Sequence, residues 1–240
     1  MKFKILFSIA SVMVFSCGEP DYPTPIPSST SQSGRLLAVN TIPSGATTAI
    51  DITVDNVAST PGPLFDSLYY TQSLSYRNIP AGANRLVRYV NNNDGAVRVS
   101  DRSAVLAGTS YTSFYYSTIS ANNAPAIRKI TDNLTTPDVG FAHVRFLHFA
   151  KDAPPVRVVN AGTGAEVFSS RAYAALGTNN AFTNFTPLAA GIYNLEVRNG
   201  DNETVLTIPN ANLQSKRIYT IYARGLVGDG SLSYSIIQHN

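Results

Sequence analysis

The stretch from Phe185 to Gly225, FTPLAAGIYNLEVRNGDNETVLTIPNANLQSKRIYTIYARG, decides the fold because its landmarks occur twice in the chain. An Ala-Gly pair at 190–191 precedes apolar residues at every second position from 193 to 197. This period of two is typical of a strand with one buried face. The dipeptide Asn199-Gly200 then predicts a hairpin, since both residues tolerate positive φ. A Tyr-Thr pair at 219–220 lies in the last apolar run.

A second copy of these landmarks lies upstream. It contains Ala81-Gly82, an Asn-rich turn at 91–95 and Tyr111-Thr112. Gly82 and Gly191 are 109 positions apart, whereas Tyr111 and Tyr219 are 108 apart. A fixed period of this length predicts a duplicated domain, because the repeats of solenoid proteins are shorter.

Composition favours strands in both copies. The 240 residues include 13 Tyr and 11 Phe, and aromatic residues are enriched in strands. No window shows a sustained helical period, and turn signals recur about every eight to twelve residues, as in β-sandwiches. The sequence therefore predicts an all-β protein with two tandem immunoglobulin-like or prealbumin-like antiparallel β-sandwich domains. They span 35–120 and 141–240, with a linker at 121–140.

The N-terminus has the pattern of a secreted, lipidated protein. Lys2 and Lys4 precede an apolar segment at 5–15, which is too short to span a bilayer. Val14-Phe15-Ser16-Cys17 resembles a bacterial lipobox. The pattern predicts a signal peptide at 1–16 and a diacylated Cys17 that holds the protein to a membrane. The alternative is an ordinary signal peptide with an incidental cysteine.

Residues 17–34 are predicted to form a tether. They are rich in Pro and Ser and poor in apolar side chains, so they cannot bury enough surface to order themselves. At ~3 Å per residue, an extended tether could lift the body up to about 50 Å from the bilayer. Glu19 and Asp21 resemble the acidic export signal of surface lipoproteins in the Bacteroidetes, which predicts an outer-membrane protein on the periplasmic or the surface face.

The charge distribution excludes a nucleic-acid-binding face. The formal charge is +3, but Lys2 and Lys4 belong to the leader, and the remaining 16 basic and 15 acidic side chains nearly cancel. A basic stripe, which phosphate backbones require, is therefore not expected. No motif predicts a cofactor.

Five segments resemble the domain of unknown function 4397 family. The segments are Val144-Arg145-Phe146-Leu147-His148, Asp152-Ala153-Pro154, Val156-Arg157-Val158, Leu188-Ala189-Ala190-Gly191-Ile192-Tyr193 and Tyr219-Thr220-Ile221-Tyr222-Ala223-Arg224-Gly225. The resemblance covers most of the second domain and is weaker in the first, where Ile50-Asp51-Ile52 keeps one element. It implies a tandem, secreted or envelope β-sandwich protein, and it implies no activity.

His148 and Asp152 are the candidates for catalysis, as a base and the carboxylate that orients it. No G-x-S-x-G nucleophile motif accompanies them. The alternative, a structural His148 that bonds the Asp-Ala-Pro turn, is favoured, so the protein is predicted not to be an enzyme. His239, close to the end of the chain, is expected to be solvated.

Two tyrosine pairs are the candidate partner contacts. In each of Tyr69-Tyr70 and Tyr115-Tyr116, strand geometry places one ring off the core, where it could stack on a sugar or on an apolar partner surface. The alternative, which is favoured, is a ring that is flattened on the surface or buried in the contact between the two domains. Asp66-Ser67-Leu68 matches a short O-glycosylation motif of the Bacteroidetes, which makes Ser67 a candidate modification site.

The Asn-rich segments at 91–95 and 199–202 resemble calcium loops. Neither supplies the spaced carboxylates and closing Glu of an EF-hand, so plain turns are predicted and no metal site is expected. The sequence thus predicts a membrane-anchored envelope lipoprotein with a non-catalytic binding or structural role, whose partner is an envelope protein or a polysaccharide. The alternatives are a carbohydrate-binding module that uses exposed tyrosines and, less favoured, a hydrolase.

Overall fold

A computed structural model describes residues 32–43, 48–55, 63–120 and 122–240. This part of the chain is built almost entirely of strands. The elements are β1 (Ser33–Asn40), β2 (Ile50–Val54), β3 (Phe65–Leu68), β4 (Ser73–Pro80), β5 (Gly82–Asn91), β6 (Val97–Val105), β7 (Ser110–Ser117), β8 (Pro125–Asp132), β9 (Phe141–Ala150), β10 (Val156–Asn160), β11 (Glu166–Arg171), a 3₁₀ helix (Thr178–Thr183), β12 (Thr186–Ala189), β13 (Gly191–Arg198), β14 (Thr204–Leu213), β15 (Ile218–Gly225) and β16 (Ser233–Gln238).

The strand order confirms the duplication. The first half forms two four-stranded sheets, β4-β1-β7-β8 and β3-β2-β5-β6. The second half forms β12-β9-β15-β16 and β11-β10-β13-β14, which is the same order with eight added to each strand number. The register agrees as well, because Leu36 pairs with Tyr111 in the first half and Val144 pairs with Tyr219 in the second. The predicted all-β fold with two repeated sandwiches is therefore confirmed.

The sequence predicted antiparallel sheets, but each inner sheet contains one parallel pair of strands. β1 and β7 run parallel, and so do their counterparts β9 and β15. A hairpin can join only antiparallel neighbours. In each repeat, however, the chain crosses to the other sheet before it returns beside its first strand, so that strand and the returning strand can run in the same direction.

The central strands of the two inner sheets, β4-β1-β7-β8 and β12-β9-β15-β16, are covered on both faces. Every residue of β7 is buried, and so is every residue of β9 from Val144 to Ala150. Alternate side chains point into their own sandwich core and into a third apolar layer between the sandwiches. That third layer, which we call the interdomain core, consists of Leu37, Val39, Phe114, Tyr116, Ile130, Leu147, Phe149, Tyr222 and Ile237.

The interdomain core has the character of a two-fold interface. The strand pairing makes Phe114 and Tyr222 equivalent, because they are 108 positions apart, the same separation as between Tyr111 and Tyr219. Their rings contact each other edge to face, with centroids 5.8 Å apart. Contact between equivalent residues is the property of an isologous interface. The two sandwiches therefore meet through the same face of each repeat.

Two local predictions differ from the structure. Residues 121–140 were assigned to a linker, but β8 lies within them and pairs with β7 along its whole length, so the link is shorter and begins after Asp132. The hairpin between β13 and β14 is present, but its positive φ is at Asn202 (64°) and not at Asn199-Gly200. The turn is longer than two residues because Asn199 caps it with its own side chain, which accepts hydrogen bonds from the backbone N–H groups of Asp201 and Glu203.

The predicted signal peptide, Cys17 and all but the end of the predicted tether lie outside the described residues. Within the described part of the chain, no helix has the length and hydropathy needed to cross a bilayer.

Replacing Phe114 with Ala tests the interdomain core. The ring is fully buried and stacks on Phe149 across the interface, with centroids 4.7 Å apart. We expect Phe114→Ala to lower the free energy of unfolding by about 3–5 kcal/mol, because removal of a buried aromatic ring leaves a cavity. Urea denaturation measures this. The control Phe141→Ala removes an exposed ring and should change stability by less than about 0.5 kcal/mol. Equal effects of the two substitutions would contradict a packed interface.

Candidate functional site

A buried ion pair lies at one end of the interface between the sandwiches. Asp132 is the last residue of β8, and Arg145 is on the face of β9 that also carries Leu147 and Phe149. Arg145 Nη2 is 2.7 Å from Asp132 Oδ1, and both side chains are 0% exposed. A charge removed from water in this way must be paired, since an unpaired one would cost several kcal/mol.

Hydrogen bonds satisfy most of the remaining polar atoms of the pair. Asp132 Oδ2 accepts hydrogen bonds from the hydroxyls of Tyr76 and Thr112, both at 2.7 Å. Arg145 Nε donates to Thr220 Oγ1 at 2.7 Å, and Nη1 donates to the carbonyl oxygen of Thr183 at 3.3 Å. Asp132 Oδ1 accepts no well-aligned hydrogen bond within the described residues, so its compensation is the electrostatic attraction of Arg145.

His239 completes a continuous chain of hydrogen bonds between the two charges. Its Nε2 is 2.7 Å from Thr220 Oγ1, and its Nδ1 is 2.8 Å from the Tyr76 hydroxyl. Each hydroxyl has one proton to donate. Tyr76 donates its proton to Asp132, so its oxygen accepts from Nδ1–H of His239. In the neutral imidazole with its proton on Nδ1, Nε2 is an acceptor and takes the hydrogen bond of the Thr220 hydroxyl.

The surroundings of His239 favour this neutral form. Burial lowers the pKa of His239 to about 4, the charge of Arg145 acts in the same direction, and Asp132 opposes it. Burial beside Asp132 also raises the pKa of Tyr76, so this phenol keeps its proton. The prediction that His239 is solvated is wrong, because the second sandwich folds the end of its chain back into the interface.

The members of this polar cluster occupy equivalent positions in the two repeats. Strand pairing defines the equivalence: Asp132 lies opposite Ser110, just as His239 bonds to Ile218. The equivalent pairs are Thr112/Thr220, Asp132/His239 and Leu37/Arg145. Tyr76 lies at the bulge of β4, and Phe185 lies directly before the corresponding strand β12. Duplication has thus allowed one face to differ between its two copies, with an acid opposite an arginine in place of two identical residues.

A groove opens on the surface beside the ion pair. Two cavities of about 360 and 280 Å³ share Thr131, Asn133, Thr183 and Asn184 as lining residues. We call their union the interdomain groove. One wall is the end of β8, from the first sandwich, and the other is the segment 176–185, from the second. The remaining lining residues are Lys129, Ile130, His143, Leu176, Asn180 and Phe185.

The ion pair positions both walls of the groove. On β8, Asp132 faces inward, and its neighbours Thr131 and Asn133 are exposed on the opposite side. On the other wall, Arg145 holds the Thr183 carbonyl and lies over the Phe185 ring, with Cζ 4.4 Å from the centroid. The groove is therefore a built feature of the interface and not a gap between independent domains.

The groove is polar but carries little charge. None of the described residues that line it is acidic. Lys129 directs its ammonium group elsewhere: it donates to Ser103 Oγ and to the carbonyl oxygen of Ala104, and it lies over the Tyr111 ring. Burial lowers the pKa of Lys129 as well. The groups left to a ligand are mainly amides and hydroxyls, which suit an uncharged polar molecule.

The structure separates the four tyrosines that were predicted to contact a partner. Tyr115 stacks on Tyr89 in the first sandwich core, with centroids 5.3 Å apart, and Tyr116 packs against Phe149 between the sandwiches. An exposed ring in this pair is therefore ruled out, and the favoured alternative, burial between the two domains, is confirmed for Tyr116, because the second sandwich covers the face of β7 that would otherwise meet solvent. Tyr69 and Tyr70 lie in the turn between β3 and β4. Tyr69 is 37% exposed, whereas Tyr70 is half-buried beneath Arg224.

Ser67, the candidate glycosylation site, is held by two hydrogen bonds. Its backbone N–H donates to Asp51 Oδ1 and its hydroxyl donates to Asp66 Oδ1, both at 2.9 Å. The side chain is half-buried and its φ is 57°. Modification of Ser67 stays a prediction.

His148 and Asp152 have separate structural partners. His148 is buried, its Nε2 is 3.2 Å from the carbonyl oxygen of Pro154, and burial lowers its pKa. The prediction that it bonds the Asp-Ala-Pro turn is confirmed. The Asp152 carboxylate accepts hydrogen bonds from the backbone N–H groups of Val227 and Gly228 at 2.7 and 2.8 Å. Both side chains therefore serve to hold loops.

The Asn-rich turns use their side chains as caps. In the first, Asn91 Oδ1 accepts from Asn93 N and Asp94 Oδ1 accepts from Ala96 N. The second is capped by Asn199 in the same way. Across the described ranges, no three His, Cys, Asp or Glu side chains cluster as metal ligands would.

Sequence reasoning missed Asp132, Arg145 and the groove. One signal was available for the pair, since each charge lies in or directly after an apolar run that reads as a buried strand. The identity of the partners could not be read, because they come from different repeats. The asparagines of the groove carry no periodic signal at all.

These features define a tandem β-sandwich protein with a polar groove at the junction of its domains. A family model described as domain of unknown function (DUF4397) matches residues 36–159, just over half of the chain. The chain belongs to this family. The match runs from β1 into β10 and includes both Asp132 and Arg145, whereas the sequence resemblance was strongest in the second domain. No curated protein of similar sequence was found.

Substitution of Asp132 tests the ion pair. Asp132→Asn keeps the shape but leaves the Arg145 charge unpaired, so the free energy of unfolding should fall by about 3–5 kcal/mol. Urea denaturation measures the loss. The matched control is Asp94→Asn, which breaks an exposed Arg98–Asp94 pair and should cost less than about 1 kcal/mol. Adding Arg145→Met to Asp132→Asn should restore part of the stability. The buried ion pair would be contradicted if Asp132→Asn cost no more than Asp94→Asn and the double variant were no more stable than Asp132→Asn.

Stability should also depend on pH through His239. Because the pKa of His239 is about 4 in the folded protein and 6.5 is its ordinary value, the unfolded chain takes up the proton first. The contribution of the neutral His239 to the free energy of unfolding is complete above about pH 6.5. It is lost as the pH falls toward 4, by roughly 3 kcal/mol in total. Urea denaturation at pH 7.5, 5.5 and 4.5 measures it.

Two variants, compared with the wild type, make this pH test specific. His239→Gln should lose less stability than the wild type over the same pH range, although His148, with its lowered pKa, leaves part of the slope in both proteins. The half-buried His143 is the control, and His143→Gln should keep the full slope. An unchanged slope in His239→Gln would refute the buried neutral histidine.

Proposed function

We propose that this protein is a lipid-anchored envelope protein that binds a partner without chemical turnover. The observation that carries the proposal is the interdomain core, which joins the two sandwiches into one body with a groove at the junction. Inter-domain contacts that are small and polar permit relative motion. This contact is apolar and aromatic at its centre, and it contains a buried ion pair, so it holds the groove in one shape.

The sequence of the first 34 residues supports the anchored location. The lipobox-like segment at 14–17 would place Cys17 at the start of the mature protein, and the Pro/Ser tether would separate it from β1. Two or more acyl chains hold a protein firmly to a bilayer, whereas one chain gives only marginal binding. The outer membrane is the proposed address, because Glu19 and Asp21 follow the cysteine closely.

A binding role fits the chemistry of the interface better than a reaction does. The buried His239 is neutral and hydrogen-bonded at both ring nitrogens, and His148 is engaged with the turn at Pro154. General acid–base catalysis needs a group within reach of the substrate proton. The histidines with shifted pKa are instead used to hold the protein together.

Replacing Cys17 tests the anchor. In a diderm host, Cys17→Ala should move the tagged protein from the membrane fraction to the soluble fraction and should abolish incorporation of an alkyne-labelled palmitate. Ser29→Ala, in the tether, is the control and should change neither result. Protease treatment of intact cells then distinguishes the surface face from the periplasmic face. A Cys17→Ala protein that still fractionates with membranes would refute lipid anchoring.

A further inference from the structure

We propose that the interdomain groove binds an uncharged glycan chain. The inference deepens the proposed function and rests on it in one respect: it assumes that the protein binds a partner and does not only fill space. The groove has the required size, since each of its two adjoining cavities, about 360 and 280 Å³, is close to or within the usual range of small-molecule sites, about 300–1,000 Å³. Two adjoining cavities suit successive units of a chain.

The hydrogen-bonding groups match sugar hydroxyls. A sugar hydroxyl both donates and accepts, and the amide of Asn and the hydroxyl of Thr do the same. The Asn133 Oδ1 atom accepts from Thr135 N at 3.1 Å, which orients its amide group. Asn184 and Thr131 are exposed on opposite walls. The groove thus presents polar side chains from both sandwiches to a ligand lying between them.

An aromatic ring lies beside these amides. Phe185 lines the second cavity and is half-buried. Its position is held by Arg145 over one face and by His239 at 5.6 Å in an edge contact. A ring that is already immobilised loses little entropy when a ligand packs against it, and the C–H groups of a sugar supply apolar surface for such a contact.

The charge pattern selects an uncharged ligand. Among the described residues of the groove none is acidic, and the Lys129 ammonium is bonded to Ser103 and Ala104. A phosphorylated or sulfated sugar would find no free basic cluster, and a basic peptide would find no carboxylate. An extended peptide could add to the free edge of β8, but that mode uses backbone groups along a strand, whereas here side-chain amides line both walls.

The duplicated architecture provides an internal comparison. The equivalent cavity on the other side of the interface, about 240 Å³, is lined by Ser73, Ser75 and Tyr76 of β4, whereas the groove has Asn184 and Phe185 directly before β12, the strand that corresponds to β4. The repeat has therefore placed a longer amide and an apolar ring on one side only. The larger groove is therefore the better candidate for a ligand, because it carries the side-chain amide and the ring that the smaller cavity lacks at this place.

The test uses the lipidated full-length protein, purified in a detergent without a sugar headgroup. The probes are uncharged hexasaccharides of glucose, mannose and N-acetylglucosamine, with a sulfated hexasaccharide and a library of extended peptides for comparison. Calorimetric titration should detect at least one uncharged hexasaccharide and not the sulfated one. Asn133→Ala and Asn184→Ala should each weaken binding about tenfold, as expected for loss of one or two hydrogen bonds.

The control is Asn212→Ala, an exposed asparagine on β14 in the outer sheet of the second sandwich, which should leave affinity unchanged. Thermal unfolding should be the same for all variants, and the side-chain amide NMR signals of Asn133 and Asn184 should shift with ligand. Three results would overturn the proposal: no binding of any uncharged hexasaccharide, equal binding after both groove substitutions, or peptide binding that the same substitutions abolish. None of these three results would change the outcome of the Cys17→Ala fractionation. Glycan binding and lipid anchoring can therefore be refuted independently.

Discussion

Burial of both faces of the central strands in the two inner sheets is the constraint on which the rest of the structure depends. A strand in an ordinary sandwich keeps one face for solvent, and its side chains alternate accordingly. β7 and most of β9 have no such face, because each lies between its own core and the other sandwich. A charge on the side of these strands that faces the other sandwich must therefore find its counter-charge across the interface, as Arg145 does with Asp132. Specific pairing and the joining of the domains follow from the same geometry.

The interface resembles that of a symmetric dimer made within one chain. Phe114 and Tyr222 are equivalent and touch, as residues near a two-fold axis would. In a dimer of identical repeats, any residue placed on the contact face occurs twice. Gene duplication removes this restriction, so Leu37 can remain apolar while its counterpart Arg145 carries a charge, and Asp132 can be acidic while its counterpart is His239. The asymmetric polar cluster is a direct result of that freedom.

The two charged residues of this asymmetric cluster also connect the buried interface to the groove on the surface. Arg145 is bonded on one side to the cluster and on the other to the Thr183 carbonyl, and it lies over the Phe185 ring. Asp132 is flanked along β8 by Thr131 and Asn133. A buried ion pair contributes little net stability compared with a well-packed apolar pair, but it is directional. The Asp132–Arg145 pair therefore fixes the positions of the two groove walls relative to each other, and a purely apolar contact would fix them less tightly.

The sequence by itself determined the duplication, the strands and the bonding of His148 to its turn, because periods of two, turn dipeptides and repeated landmarks depend only on neighbours along the chain. It could not show that Tyr115 and Tyr116 are both buried, that residues 125–132 form a strand of the first sandwich, or that His239 lies in the interface. The groove and the Asp132–Arg145 pair likewise belong only to the tertiary structure. The physical reason is that each depends on which face of one repeat packs against the other, and that choice is made by complementary surfaces formed only after both sandwiches have folded.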